Sequence, residues 1–501
     1  MSSRSSRSSK RPMNPNVLLV VLDSVRASNT SLHGHENETT PFLDEFAQSA
    51  TRYDQARSPG SWSLPSHTSI FTGLHVAEHG VTEPKHRLAA GNTIFEELQK
   101  SGYETAVFSE NPWLTIMDVG LDAGFDEVSG AQNVLFPEAA NPTEFTAAEG
   151  QGQYAEYVRR CLDDDYPVKS LLNGLGTKLA WDYPDLVPDW LMASAPASAY
   201  VDRFVDWQSE RDGTWAACIN LMDGHAPYEP APEHDRWGGK RLKKIQADLE
   251  KHVWSFHAGD APWWQCRAFE ALYDGAIHQM DAQLRRIVDV LERRDELDDT
   301  LLVVTSDHGE GFGEVSRLKG TRLVGHVEGI HESQLHVPLV VKHPGQREGE
   351  VVSEPASLTN FPDVVRAVLD GDGEDAQGGF AGGPTVSSSA GLTEPNMKLA
   401  REYCDADELW QFRGEMRAVF EAEREGDVDG AVSKYADWED ESVGVRVLDS
   451  HTSYVRERGD GGRVGEVFGR FSDAGVRESG TDVDDVDDAT RQRLRDLGYA
   501  E

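Results

Sequence analysis

Residues 61–73, SWSLPSHTSIFTG, set a hydroxyl at Ser63 and an imidazole at His67 four residues apart, on either side of Pro65. Proline is harmless in a first helical turn, where its missing N–H would have no partner, and Gly73 suits the position just past a helix end. Ser63 therefore stands at a helix entrance, where free backbone N–H groups and the positive dipole end attract an anion. A serine there is ordinarily an N-cap. His67, one turn on and facing the same way, adds a polar group that a cap does not use. Together they suit attack on a small tetrahedral oxyanion, provided that something lowers the pKa of the hydroxyl.

Three apolar runs end in groups able to hold the ion such activation needs. Asp23 closes NVLLVVLD (16–23), Asp223 and His225 follow TWAACINL, and Asp307 and His308 follow TLLVVTS. Ligands of open α/β sheets bind beyond the carboxyl ends of the strands, so these side chains are expected to converge on one crevice. Asp307 and His308, on a tight turn before Gly309, offer an oxygen and a nitrogen to a divalent ion. A carboxylate at the end of the most apolar strand, Asp23, needs a cation or several donors to offset its desolvation. An ion held by Asp23, Asp307 and His308 and coordinating Ser63 would turn the serine into an attacker. His225, in the proline-flanked loop NLMDGHAPYEP, is suited to protonate a leaving alkoxide. In RLVGHVEGIHESQLHVPL, His336 leads into a strand and reads as structural, whereas His326 is placed to touch substrate oxygens.

The elements that position these groups follow from hydrophobic pattern. NVLLVVLD, ETAVFS (104–109), TWAACINLMD (214–223), TLLVVTSD (300–307) and LHVPLVVKHP (335–344) are continuously apolar, as strands buried on both faces must be. Helical spacing in TIFEELQKSGY and YDGAIHQMDAQLRRIVDVLERRDEL alternates with them, which predicts an α/β fold on a mostly parallel sheet. Residues 1–13 read as a disordered tail and 14–369 as the main domain. Residues 370–395, rich in Gly, Ser and Asp, read as a linker or mobile loop. Residues 396–501 read as a small domain, with strands in EMRAVFEA, VGVRVLDS and TSYVRERGD and a closing helix in ATRQRLRDLGY. Region 127–200 reads as helices and loops capping the sheet.

The chain has 501 residues, 38% of them hydrophobic, and a formal charge of −39. That field repels nucleic acid and anionic lipid and excludes them as partners. Arginine outnumbers lysine and the acid is spread along the chain, as on proteins of salt-loving organisms, where screening shrinks to about 3 Å in molar salt. Cys161, Cys218, Cys266 and Cys404 have no paired spacing and read as buried thiols of a reducing compartment. VLLVVL is too short for a membrane span or a signal-peptide core, so a cytoplasmic enzyme is expected.

NVLLVVLDSVRA, TTPFLDEFAQSATRYDQARSPGSWSLPSHTSIFTGLHVAEHGV, TIFEELQKSGYETAVF, MDGHAPY, YDGAIHQMDAQLRRIVDVL, VVTSDHGEGFGE, HESQLHVPLVV and RQRLRDLGY, in this order, resemble the landmarks of the sulfatase family of the alkaline phosphatase superfamily. The resemblance implies an alkaline-phosphatase-like sheet sandwiched by helices and a small antiparallel C-terminal α+β domain. It also implies a divalent ion on Asp23, Ser63, Asp307 and His308, and cleavage of sulfate or phosphate esters through a covalent intermediate on Ser63. His225 and His326 would contact substrate. To this the reading of the residues themselves adds His67 as an oxyanion contact and His225 as general acid.

Four positions depart from the family pattern. His67 replaces the arginine of the Cys/Ser-x-Pro-x-Arg signal for formylglycine, so an unmodified Ser63 is expected. Ser24 replaces a second aspartate. Asp307-His308 stands where many members have Asp-Asn, which leans from calcium toward zinc or manganese, manganese foremost. Ser109-Glu110-Asn111-Pro112 replaces Gly-Lys-Trp-His. These departures keep open two alternatives to a sulfatase acting on a small or glycan ester. One is a phosphodiesterase or phospho-transferase using the plain serine alkoxide. The other is a catalytically silent sulfatase-like binding protein.

Overall fold

The run NVLLVVL forms a strand, Asn16–Leu22, with all seven residues buried. Val17, Leu19 and Val21 join the apolar cluster on one face of the sheet, and Leu18, Val20 and Leu22 the cluster on the other. A strand covered on both faces must be apolar at every position. At about 1.5–3 kcal/mol for each fully buried Val or Leu, burial strongly favours the middle of the sheet. The strand pairs in parallel with Thr300–Thr305, Val20 opposite Val304, and with Trp215–Leu221, Val20 opposite Ile219.

The computed structural model describes residues 14–480, apart from residues 131–135, 137–138, 141, 143–153, 165, 183–195, 250–251, 372–378, 424–427, 429 and 460, together with Leu494. Its main sheet has eight strands in the order Glu350–Ser357, Thr51–Arg57, Leu339–Lys342, Thr300–Thr305, Asn16–Leu22, Trp215–Leu221, Glu104–Ser109 and Glu127–Ser129. Leu339–Lys342 runs against the other seven. The long helix Trp263–Arg293 covers one face through Phe269, Leu272, Ile277 and Leu284. Helices Ser63–Thr72, Ile94–Lys100 and Phe361–Asp370 cover the other through Phe71, Phe95 and Val365. The expected α/β sandwich is therefore present. Asp23, Asn111, His225 and the pair Asp307–His308 follow strands that all point the same way, so they gather along one edge of the sheet.

Three strands of the main sheet escape the pattern search: the three-residue edge strand Glu127–Ser129, which corrects the start of the region read as helices and loops, and two longer ones. Thr51–Arg57 alternates buried residues with half-exposed Arg52 and Asp54, and Glu350–Ser357 lies at the sheet edge with an exposed first half. Neither offers the continuous apolar run by which the inner strands are recognised. In region 127–200 the helices Tyr154–Asp163, Pro167–Asp182 and Ala197–Ser209 are present, and residues 183–195 lie outside the described set.

A second sheet, Thr385–Ser389, Met416–Ala422, Val432–Trp438, Glu441–Val447 and Ser453–Arg458, is antiparallel throughout and follows chain order. Its first strand corrects the reading of 370–395 as a linker or mobile loop: all five residues of Thr385–Ser389 are buried. The serines that suggested solvent are paired inside. Ser387 Oγ donates to Ser58 O at 2.5 Å and Ser388 N to Pro59 O at 3.0 Å, so the small side chains let this strand lie flush against the loop preceding Ser63. Residues 1–13 and 372–378 lie outside the described residues, as does the expected helix ATRQRLRDLGY except for Leu494, which is buried in the main core.

A buried ion network also joins the two sheets. Glu332 lies 2.9 Å from Arg57 Nη2 at the end of one main strand and 2.9 Å from Lys434 Nζ in the second sheet. Burial alone would push the Glu332 carboxyl up, but Arg57 and Lys434 hold it well below the usual carboxylate range. Burial in turn pulls the Arg57 and Lys434 pKa values down, against the raising pull of Glu332. Glu332→Ala leaves both cations uncompensated and is expected to cost about 3–5 kcal/mol of stability in urea denaturation. Because the folded pKa is depressed, this stabilisation is present above the unfolded carboxylate pKa and is lost as pH falls through the folded one.

Candidate active site

Ser63 is the first residue of the helix Ser63–Thr72, entered from an extended Trp62 and closed by Gly73 at φ 79°. Its hydroxyl does not cap the helix. Ser63 Oγ lies 3.3 Å from His308 Nε2, and both residues are fully buried. His308 Nδ1 donates to Gly309 O at 2.9 Å, which leaves Nε2 facing the serine and, at 3.3 Å, Asp307 Oδ2. One turn along, His67 Nδ1 donates to Ser63 O at 3.0 Å and lies 3.5 Å from Asp307 Oδ2. His67 Nε2 is buried without a hydrogen-bond partner.

The two carboxylates are held from opposite sides. Asp23 Oδ2 accepts from Asn111 Nδ2 and Asn220 Nδ2, each at 3.0 Å, and Oδ1 accepts from Ser24 Oγ at 2.9 Å. Ser24 has φ 63°, a left-handed turn that aims its N–H at Asp307 Oδ1, 3.2 Å away. Asp307 Oδ1 also accepts from the His308 N–H at 3.0 Å, whereas Oδ2 has no hydrogen-bond partner. Burial would push the Asp23 carboxyl up, but His308, His225, the Asn220 hydrogen bond and His67 together hold it below its ordinary value. Burial would lower the His308 pKa, but the reciprocal field of Asp307 and Asp23 outweighs it and raises that pKa.

Ligand atoms of Asp23, Asp307 and His308 lie within 4.8 Å of one another, and all three residues are fully buried. Two hard oxygens and one imidazole nitrogen beside a hydroxyl are a donor set that fits a divalent cation, and the unsatisfied Asp307 Oδ2 supplies the open coordination. The turn carrying Asp307 and His308 depends on Gly309, where a Cβ would stand 2.1 Å from Ser333 O and 2.8 Å from Arg26 Cβ. Gly309→Ala is expected to displace His308 and lose about 1–3 kcal/mol of stability together with turnover, read by thermal melting and steady-state kinetics.

His225, His326 and His308 form a row. The His308 and His326 ring centroids are 4.3 Å apart, and those of His326 and His225 are 4.9 Å apart. His326 Nδ1 meets the buried Glu310 Oε2 at 3.2 Å, and His225 Nδ1 donates to Ala226 O at 2.8 Å. Every candidate site residue thus lies in one neighbourhood except Asp223, whose expected convergence is corrected. Asp223 accepts from Ala197 N at 3.0 Å and from Gln279 Nε2, tying the start of a helix to the long helix, and burial pushes its carboxyl up to about 6. His336 is structural, with Nε2 donating to Asp54 O at 2.9 Å.

Sequence reasoning passes over Asn111, Asn220 and Glu310. Asn220 carries a signal, being the one amide in a strand otherwise free of polar side chains. Asn111 stands out only as part of a missing lysine-bearing motif, and nothing local marks it as a donor to a carboxylate 88 positions away.

The sandwich, the second sheet and the strand-end cluster define an alkaline-phosphatase-like fold. The sulfatase family model matches residues 15–370, and the chain belongs to the sulfatase family as a sulfatase-like hydrolase. It is similar to an arylsulfatase of Clostridium perfringens, 21% identical over 397 residues that cover 72% of this chain and 75% of that protein. A steryl-sulfatase of Mus musculus is 24% identical over 414 residues, 72% of this chain and 63% of that protein. In structure, the phosphonate monoester hydrolase of Agrobacterium radiobacter superposes with TM-score 0.58 at 18% identity, covering 96% of this chain and 94% of that one. A 2-O GAG sulfatase gives TM-score 0.51 at 13% identity, covering 89% and 85%. At these identities the superpositions speak to fold alone.

Proposed function

We propose that the protein hydrolyses sulfate esters through a covalent intermediate on an unmodified Ser63, with one divalent ion, manganese foremost, on Asp23, Ser63, Asp307 and His308. The observation that carries this reading is the buried cluster of Asp23, Asp307 and His308 beside Ser63 Oγ, in which Asp307 Oδ2 has imidazole neighbours at 3.3 and 3.5 Å but no hydrogen bond. A bound ion would lower the Ser63 pKa and neutralise charge on the transferred group. Ser63 Oγ, its proton released to solvent, attacks sulfur as the bond from sulfur to the ester oxygen breaks; His67 and His326 contact the sulfuryl oxygens, and His225 gives a proton to the departing alkoxide. Water then cleaves the serine–sulfuryl bond and restores the hydroxyl. The four cysteines are buried free thiols, which supports a reducing, cytoplasmic setting. No described helix is long and apolar enough to cross a membrane.

A phosphate-ester reading is favoured by one feature, the histidine at His67 where formylglycine sulfatases have arginine. The two separate in one assay: sulfate and phosphate monoesters of the same phenol, in molar salt with manganese. At least about a tenfold higher kcat/KM on the sulfate ester is expected, a difference of about 1.4 kcal/mol between the two transition states. The opposite order moves the assignment to phosphoryl chemistry, and no turnover of either moves it to a silent binding protein.

A further inference from the structure

Ser24 joins the two carboxylates from an uncommon conformation. Its φ of 63° lies in the left-handed region that residues other than glycine seldom enter. There it bonds both acids at once: its Oγ donates to Asp23 Oδ1 at 2.9 Å, and its N–H donates to Asp307 Oδ1 at 3.2 Å. Its carbonyl accepts from Tyr273 Oη at 2.7 Å. The same Oη accepts from the Arg26 N–H at 2.9 Å, so one phenol bridges both ends of the turn. Ser24 and Tyr273 are fully buried.

The phenol is itself anchored. Tyr273 belongs to the long helix Trp263–Arg293, on which Glu270, Tyr273 and Asp274 share one face. Glu270 pairs with the Arg26 guanidinium and Asp274 Oδ1 accepts from Asn29 Nδ2 at 2.7 Å, so one turn of helix grips residues 24–29. The Tyr273 ring packs against Tyr228 and Phe312, with centroids 5.5 and 5.1 Å away. Phenylalanine would keep those contacts and remove only the bridging oxygen. The Ser24 carbonyl and the Arg26 N–H would then be buried without partners, and the turn would relax to find others. A serine so released returns to negative φ, which withdraws its N–H and Oγ from the carboxylates. Glycine takes positive φ without a steric penalty and has less need of the clamp.

We infer that Tyr273 is a positioning residue for the ion: its phenol holds Ser24 left-handed and so fixes Asp23 and Asp307 at the spacing a divalent cation needs. The inference rests on the ion proposed above and adds the group that presets its ligands. The test measures manganese binding by titration calorimetry in wild type, Tyr273→Phe, Ser24→Gly and the double variant, each below its melting temperature, with crystal structures of metal-free wild type and Tyr273→Phe. With serine at position 24, Tyr273→Phe is expected to raise the Kd about tenfold or more. In the Ser24→Gly background the same change is expected to raise it about threefold or less. A phenol serving stability alone would lower the melting temperature and leave the Kd unmoved. A Kd that does not rise, or that rises equally in both backgrounds, overturns the assignment. If wild type binds no manganese, the ion reading fails separately and the metal-free structures decide. Ser24 at negative φ in Tyr273→Phe, its N–H withdrawn from Asp307, supports the clamp, whereas an unchanged turn overturns it. Should Tyr273→Phe alone fail to fold, the double variant is expected to fold; failure of both assigns the phenol to the fold rather than the turn and overturns the inference.

Discussion

Ser63→Ala is expected to reduce kcat by at least about a thousandfold, since removal of a nucleophile abolishes the covalent route and leaves only binding and electrostatic catalysis. The fold should survive. The hydroxyl makes no helix cap, its described hydrogen bond is with His308 Nε2 at 3.3 Å, and alanine is a good residue for a first helical turn. A small change in melting temperature with collapse of turnover separates loss of chemistry from loss of structure. Mass spectrometry of the peptide spanning Ser63 gives the second readout. In wild type it should show plain serine at rest and a sulfuryl adduct after acid quench during turnover. In Ser63→Ala the adduct should be absent. Retention of wild-type turnover by the variant would place the nucleophile elsewhere. A mass lower by two hydrogens at rest would mean that formylglycine forms despite His67.

The inner half of the fold is legible because its cause is local. A strand such as Asn16–Leu22, buried on both faces, has no freedom in residue type, so its composition announces its position. The residues that terminate such strands then locate the crevice, which is why Asp23, Asp307 and His308 can be named from the chain alone. What escapes is nonlocal. Asp223 sits at a strand end like Asp23, yet Gln279 and the Ala197 N–H, both distant in sequence, draw its carboxylate away. Thr385–Ser389 has a linker's composition and becomes a strand because Met416–Ala422 pairs along it, while Ser58 and Pro59 supply further partners from far earlier in the chain. Asn111 and Asn220 belong to the same class, since their meaning lies in the carboxylate they share.

The cluster carries the second large prediction. Asp307→Asn keeps Oδ1 as acceptor for the Ser24 and His308 N–H groups, so the turn retains its backbone bonds. It replaces Oδ2, the carboxylate oxygen without a partner, with an amide N–H₂ facing the space shared with Asp23 and His308. An amide nitrogen directs hydrogens at that space and offers a cation neither charge nor a lone pair. The variant is therefore expected to lose both manganese affinity and at least about a thousandfold in kcat, the combined effect of a missing ligand and a serine left at its ordinary acidity. In wild type, a chelator should abolish turnover and added manganese restore it. Binding to the folded state alone should also raise stability by about 2.7 kcal/mol at a hundredfold excess over Kd, seen as a melting temperature that climbs with manganese concentration. Asp307→Asn should show no such climb. Full activity after exhaustive chelation, with a melting temperature indifferent to manganese in wild type, would remove the ion from the reaction and leave the Asp23, Asp307 and His308 network a purely structural clasp.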